Sequence, residues 1–274
     1  MDPHIDDRSP STSPSTGPWK RGTIPVLGLI GGIGAGKSLV AALLAGRGAA
    51  VIDADAVGHD VLKERAVRDQ VVARFGEGIV ARPGAAGEGS EISSETPEPP
   101  PIDRRAVGAI VFADPAALRD LEALVHPPMC RAFERAIDRA VREARAPAVV
   151  LDAAVLLEKG WDALCDRVVY VDAPRAQRLA RLAAQRGWTE AMLSAREEAQ
   201  WPAEEKKRRA DLIVVNDGGP NALEAAVDGL WSTLVMSPAL PGHPPRAAQA
   251  RTRGPGPAAR GQPSPAPSEA SKRS

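Results

Sequence analysis

The residues best suited to chemistry lie in one early stretch, Gly31-Gly32-Ile33-Gly34-Ala35-Gly36-Lys37-Ser38. It matches the spacing G-x-x-x-x-G-K-[ST] in full, a pattern in which glycines let successive backbone N–H groups turn toward one point and cradle phosphates. Lys37 would neutralise β- and γ-phosphates, and the Ser38 hydroxyl would ligate Mg2+. Gly32, Gly34, Ala35, Gly36 and Leu39 complete the set expected beside the nucleotide. A dinucleotide-binding reading fails on spacing, because G-x-G-x-x-G begun at Gly32 would need glycine where Lys37 stands. Carboxylates come next: Asp53 and Asp55 close one apolar run and Asp152 closes another. An acid at such a strand end can hold magnesium, directly or through water.

These residues need elements to position them. Val26 to Ile30 is an apolar run of the length of a buried parallel strand, and Leu39 to Ala45 is built from helix formers. Ala49 to Ile52 is the next apolar run, so the helix between makes a βαβ unit with parallel strands and a right-handed crossover. In such a sheet the C-terminal strand ends open on one edge, which brings Asp53 and Asp55 beside the phosphate loop. If the chain stays extended there, residues two apart present both carboxylates to one side; alternatively, one acid caps the following helix and the other faces substrate. Further buried-strand candidates are Ala148 to Asp152, Arg167 to Asp172 and Leu212 to Asn216. The expected architecture is therefore an α/β P-loop NTPase fold in three layers, a parallel sheet of about five strands with helices on both faces.

Between the last two strand candidates, residues 174–209 are dense in helix formers and carry Arg175, Arg178, Arg181, Arg186 and Arg196. A charged helical pair in this place suits a mobile lid whose arginines clamp phosphate oxygens. Ahead of it, apolar positions from Val107 to Val125 recur at three- and four-residue steps, predicting helices that break near Asp114-Pro115 and stop at His126-Pro127-Pro128. His126 at such a helix end suits either a phosphate or hydroxyl contact or a structural role. A last helix is expected from Ala222 to about Val235.

Composition bounds the rest. Of 274 residues, 43% are hydrophobic, and Lys+Arg and Asp+Glu balance at 35 each, so charge makes no case for nucleic acid or a membrane as partner. The two cysteines, Cys130 and Cys165, lack metal-ligand spacing and read as reduced core thiols. Without a long apolar run or a signal-like N-terminus, a cytoplasmic location is expected. Residues 1–22 read as a disordered Ser/Thr/Pro leader, 82–101 as a disordered insertion and 236–274 as a disordered Pro/Arg-rich tail, leaving 23–235 as the folded domain.

Several segments together resemble the dephospho-CoA kinase family: Gly28 to Ser38, Val51 to Asp55, Ile102-Asp103-Arg104, Phe112 to Pro115 and Leu121 to Pro127. Leu156-Leu157-Glu158, Arg196 with Gln200, Ala210-Asp211 and Asn216-Asp217-Gly218 follow in the family's order. The D-A-D and L-E-x-L-x-H-P segments are far more specific than the phosphate loop, which names only a superfamily. The resemblance implies ATP-dependent phosphorylation of the ribose 3′-hydroxyl of dephospho-CoA, the last step of coenzyme A synthesis. It implies Asp55 as the base that orients or deprotonates that hydroxyl, with Asp53 nearby and a helical acceptor-side subdomain carrying Arg104 and His126. Arg178, Arg186 or Arg196 would reach ATP from the lid. The chain departs from the family at Val155, where proline is usual, and at Leu39, where threonine is usual. Alternatives are another nucleoside or small-metabolite kinase of this fold, or a nucleotide-dependent switch; a GTPase would want N-K-x-D, and Asn216-Asp217-Gly218-Gly219 has no lysine.

Overall fold

Runs with no polar face become the central strands. In the computed structural model, which describes residues 19–81, 99–143 and 145–236, β1 (Val26–Gly31) and β3 (Val149–Asp152) are buried throughout. β4 (Arg167–Asp172) is buried between its end residues, whereas β2 (Ala50–Asp53) and β5 (Leu212–Val215) form the half-exposed edges. Within this sheet every pairing is parallel, in the order β2-β3-β1-β4-β5. Asp152 stands opposite Leu29 of β1 on one side and opposite Asp53 of β2 on the other. That register sets both strand-end acids level with the end of β1, where the phosphate loop begins.

Side-chain alternation gives the sheet two apolar faces. Leu27, Leu29, Val150, Val169, Val171 and Val214 pack under α1 (Lys37–Gly46) and α9 (Pro220–Trp231). Ile30, Ile52, Val149, Leu151, Val168 and Tyr170 face α2 (Ala54–Val61), α3 (Arg65–Phe75), α4 (Arg104–Ala113) and α5 (Pro115–Glu143). The three layers and the five strands are as expected, and α9 runs on into a π-helical turn at Ser232–Met236.

Three expectations change. The helix predicted to stop at His126-Pro127-Pro128 continues through both prolines, and α5 is a single helix of 29 residues. Met129, Phe133 and Ile137 recur every four residues on its inner face and are all buried. Burial of that order, about 1.5–3 kcal/mol for each large side chain, offsets the roughly 3 kcal/mol that a proline costs inside a helix. The segment expected to be a helical pair forming a lid holds three helices, α6 (Arg175–Arg186), α7 (Glu190–Glu198) and α8 (Ala203–Arg209). Trp19 to Gly22, placed in the leader by composition, are packed: the Trp19 indole is buried beneath the Arg167 guanidinium, and the Lys20 backbone N–H donates to Asp166 at 2.8 Å. One indole supplies the apolar surface that the segment's other residues lack. The remainder of the leader, residues 82–98 of the insertion and residues 237–274 lie outside the described residues.

Burial pushes the Cys165 thiol up to about 12, consistent with an unreactive core residue. No described helix is long and apolar enough to cross a membrane. Phe133 is fully buried and meets the Trp161 ring edge-on at 5.1 Å. Phe133→Ala should therefore cost about 3–5 kcal/mol in urea unfolding; a loss well under 1 kcal/mol would mean that α5 is not anchored through this residue.

Candidate active site

The loop between β1 and α1 is shaped by two left-handed glycines, Gly34 at φ 76° and Gly36 at φ 93°. Space excludes a side chain as firmly as conformation does, because a Cβ on Gly36 would stand 2.3 Å from Asn216 Nδ2. That amide donates to the Ala35 carbonyl at 2.8 Å, while the Ala35 N–H donates to the Gly32 carbonyl at 3.0 Å. Among the described residues no side chain caps α1. Its first N–H groups and the positive end of its dipole are left for an anion. Ser38 and Leu39 sit exposed in the first turn of α1.

Lys37 Nζ forms an ion pair with Asp152 Oδ1. Asp152 is buried, and burial raises its pKa above the ordinary carboxylate value; Lys37 opposes that rise, while Asp53 and Asp55 add to it. The D-A-D acids do not share one extended face, because α2 begins at Ala54, between them. Instead Asp53 is the N-cap, its Oδ1 accepting from the N–H groups of Asp55 at 2.8 Å and Ala56 at 3.2 Å. Asp caps well because its side chain replaces the missing acceptor of the first turn. Asp55 rides on that turn, exposed, and its carboxylate has no hydrogen-bond partner among the described residues. One acid is thus committed to structure, a second to Lys37, and the third is free.

The lid arginines separate into two groups. Arg178 is buried against the phosphate loop: its Nη1 donates to the Ile33 carbonyl at 3.0 Å and to Glu197 Oε1 at 2.6 Å. The second group is Arg186 and Arg196, which flank the Trp188 ring at the α6–α7 turn, with guanidinium carbons 5.8 and 4.2 Å from its centroid. Arg196 also donates to the Met192 carbonyl at 3.2 Å. Glu197 takes a second arginine, Arg175, at 3.1 Å. Burial works to raise the Glu197 carboxyl, and the two guanidinium groups outweigh it and hold it below its ordinary value.

The lid returns to the sheet over a buried cation. Lys206 donates to Glu158 Oε1 at 2.7 Å, to Gln200 Oε1 at 3.0 Å and to the Ala154 carbonyl at 3.0 Å, and Glu158 also accepts from the Trp201 N–H at 3.1 Å. Glu158 and Gln200 therefore fasten the end of the lid to the loop after β3. A cavity of about 280 Å³ lies at the lid root among Tyr170, Asp172, Arg175, Arg178, Lys207 and Asp217. Its cations are already matched, Lys207 by Asp172 at 2.8 Å and both arginines by Glu197. Sequence reasoning counted Arg181 only among the lid arginines and Asn216 only within the segment Asn216-Asp217-Gly218, without a place for either at the phosphate loop, and it missed Lys206 as part of the site. Asn216 did carry a signal, a buried-strand run ending in an amide, whereas Lys206 looks like any member of the charged run Glu204 to Arg209.

Arg104 and His126 belong to α4 and α5, and neither shares a hydrogen bond or ion pair with the carboxylate cluster among the described residues. Arg104 is exposed on the first turn of α4, which Asp103 caps. His126 is half-buried and meets the Trp161 ring edge-on at 5.4 Å. Burial first, and nearby Lys159 second, push its pKa below the ordinary imidazole value, against a weaker pull from Glu122. At neutral pH it offers a hydrogen bond rather than a charge.

A family model described as CoaE, dephospho-CoA kinase, matches residues 25–221. The chain belongs to the dephospho-CoA kinase family. It is 42% identical over 209 residues to a dephospho-CoA kinase of Symbiobacterium thermophilum, covering 75% of this chain and 80% of that one. To the Anaeromyxobacter dehalogenans dephospho-CoA kinase it is 40% identical over 209 residues, covering 76% and 92%. Among solved structures, TT1252 from Thermus thermophilus superposes with a TM-score of 0.62 at 34% identity over 77% of this chain and 98% of its own. The kinase transfers the γ-phosphoryl group of ATP to the ribose 3′-hydroxyl of dephospho-CoA, giving coenzyme A and ADP in the final step of coenzyme A biosynthesis.

The environment of His126 carries a pH consequence. With its folded pKa below the unfolded one, the unfolded chain binds the extra proton first, so stability falls as pH drops through the unfolded value near 6.5. Between about pH 7.5 and about pH 5.5, His126→Gln should show a smaller drop in Tm than the parent. The acid loss from Glu197 begins only in the carboxylate range, below that window. Equal drops in parent and variant would show that His126 is not held neutral.

Proposed function

We propose that phosphoryl transfer is carried out at the β1–β3–β2 edge by Lys37, Asp55 and the phosphate loop, within a catalytic domain spanning about residues 23–235 and a lid spanning about 174–209. The observation that supports this most directly is the Lys37–Asp152 ion pair with Asp53 and Asp55 around it, at the mouth of the uncapped α1 N-terminus. In this reading the loop N–H groups receive the β-phosphate, and Lys37 exchanges Asp152 for the β/γ oxygens when nucleotide enters. Lys37 serves the transition state by neutralising charge on the transferring group. Asp55 accepts a hydrogen bond from the ribose 3′-hydroxyl, aligns it with the γ-phosphorus and takes its proton as the new O–P bond forms. Asp53 holds the start of α2, and so fixes where the Asp55 carboxylate stands.

Asp152 and Ser38 fit Mg2+: both offer hard oxygen donors, and the Asp152 carboxylate is buried beside the loop. Among the described residues no group of three or more acidic, His or Cys side chains makes a full cage. That suits an ion that keeps several waters and takes its other ligands from phosphates. When bound, the ion would supply further charge neutralisation on the triphosphate. Of the three lid arginines expected at ATP, Arg178 lies beside Gly32 and Ile33 and would reach nucleotide from there, while Arg186 and Arg196 would need the α6–α7 turn to close first. Arg104 and His126 are assigned to the acceptor side, His126 as a neutral hydrogen-bonding group.

Coupled ADP release with dephospho-CoA, adenosine and shikimate as acceptors tests the pocket. Rapid ADP formation is expected with dephospho-CoA, and equal slow rates with and without any acceptor would instead favour a nucleotide switch. Lys37→Ala should lower transfer on the order of a hundredfold or more. Asp55→Asn should lower kcat about a hundredfold or more with the dissociation constant for ATP unchanged. An unaltered kcat in that variant would remove Asp55 from the chemistry.

A further inference from the structure

We propose that Arg181 is a positioning residue for the phosphate loop, holding Asn216 in the one orientation that clamps Ala35 and so coupling the lid helix α6 to nucleotide binding. Asn216 is buried at the end of β5, and its Nδ2 donates to the Ala35 carbonyl. On its other side stands Arg181, whose Nη2 donates to the Asn216 backbone carbonyl at 3.0 Å and lies 3.5 Å from its Oδ1. A guanidinium is a donor only. Were the Asn216 amide turned over, its NH2 would face the guanidinium and its oxygen would face the Ala35 carbonyl, giving two repulsive pairings in place of two favourable ones. Arg181 therefore selects the rotamer that grips the loop.

The grip matters because the Ala35 carbonyl and the Gly36 N–H belong to one planar peptide and point in opposite directions. Fixing the carbonyl on Asn216 aims the Gly36 N–H, and with it the turn into Lys37, toward the phosphate position. A second observation points the same way. Among the described residues only two buried side-chain polar atoms lack a partner, Glu158 Oε2 and Arg181 Nη1. Arg181 Nη1 lies 3.9 Å from where a Cβ on Gly36 would be. A dry, unpaired charged donor opposes folding; placed beside the α1 N-terminus, it adds positive potential where the triphosphate binds. The neighbouring Gln177 ties the same helix to the segment that carries Asn216, donating to the Asp217 carbonyl at 2.9 Å.

The inference rests on the phosphate loop being the ATP site, and the test separates the two. In the full chain, ATP binding without acceptor is measured by calorimetry, and exchange of the Ala35, Gly36 and Lys37 amides by deuterium uptake. If the parent protein fails to bind ATP, the site reading fails. If the parent binds, Arg181→Met should weaken ATP binding on the order of tenfold or more and speed exchange of those amides, with KM for dephospho-CoA unchanged. Asn216→Ala should do the same, and the double variant should be no worse than the weaker single, because both changes break one relay. Arg181→Lys, which keeps the charge but loses the fork, should fall between parent and Met variant and is the decisive variant if the Met protein does not fold. Parent-like ATP binding in Arg181→Lys together with Arg181→Met, or strictly additive effects in the double variant, would overturn the proposal.

Discussion

Everything in this kinase hangs on the parallel register that brings the ends of β1, β3 and β2 level, because that register is what lets Lys37, at the start of α1, pair with Asp152 at the end of β3. The pair joins the loop that receives phosphate to the strand that carries the buried acid. Asp152 alone would be an unfavourable guest there, since burial and two neighbouring carboxylates all disfavour its charge. Lys37 alone would be an unmatched cation at a helix start whose dipole already repels it. Each makes the other tolerable, and the pairing is one that nucleotide phosphates, richer in charge and better shaped for an ammonium, can replace.

The lid is held to this core by a different kind of contact at each root. At its start Arg178 and Arg181 on α6 press against the phosphate loop and Asn216. At its end Lys206 is sunk among three acceptors from Glu158, Gln200 and Ala154. Between the roots the arginines of α6 and α7 pair with Glu197, Glu190 and the Trp188 ring, groups of the lid itself. A buried, hydrogen-bonded ion pair is costly to break on one side, whereas half-exposed pairs such as Arg175 with Glu190 contribute little. In the lid motion proposed above, the roots would be the stiff parts and the α6–α7 turn the part that rearranges around a ligand.

What could be read from residues alone follows the range of the forces involved. The phosphate loop was legible because its requirements are local: left-handed glycines, a lysine and a hydroxyl at fixed spacing. The sheet was legible because burial on both faces leaves strands no polar positions. The D-A-D segment was half legible; its two acids stood out, but only the helix start at Ala54 decided that Asp53 caps. The continuation of α5 past Pro127 and Pro128 was not, because the local chemistry of proline argues for a stop and the contrary force comes from Phe133 and Ile137 packing on distant elements. Arginine roles within the lid were equally out of reach. Nothing in the spacing of Arg178, Arg186 and Arg196 tells that one is buried at the loop while the others flank an indole.

The assignment of the proton acceptor is then a matter of which acid has capacity left. Phosphoryl transfer through a loose transition state asks little of a base until the new bond is well advanced, so placement counts for more than basicity. Asp152 has the perturbed environment usually associated with proton chemistry, yet its carboxylate is buried, and in the proposed reaction, once nucleotide draws Lys37 away, it would be taken up in holding Mg2+. Asp53 accepts two backbone N–H groups through Oδ1, and withdrawing it would unwind the first turn of α2. Asp55 carries neither burden: it is exposed, on a helix turn held rigid by Asp53, within electrostatic reach of Asp152. In the proposed reaction an exposed carboxylate on a fixed support is the better partner for a hydroxyl that needs alignment first and a proton acceptor only late.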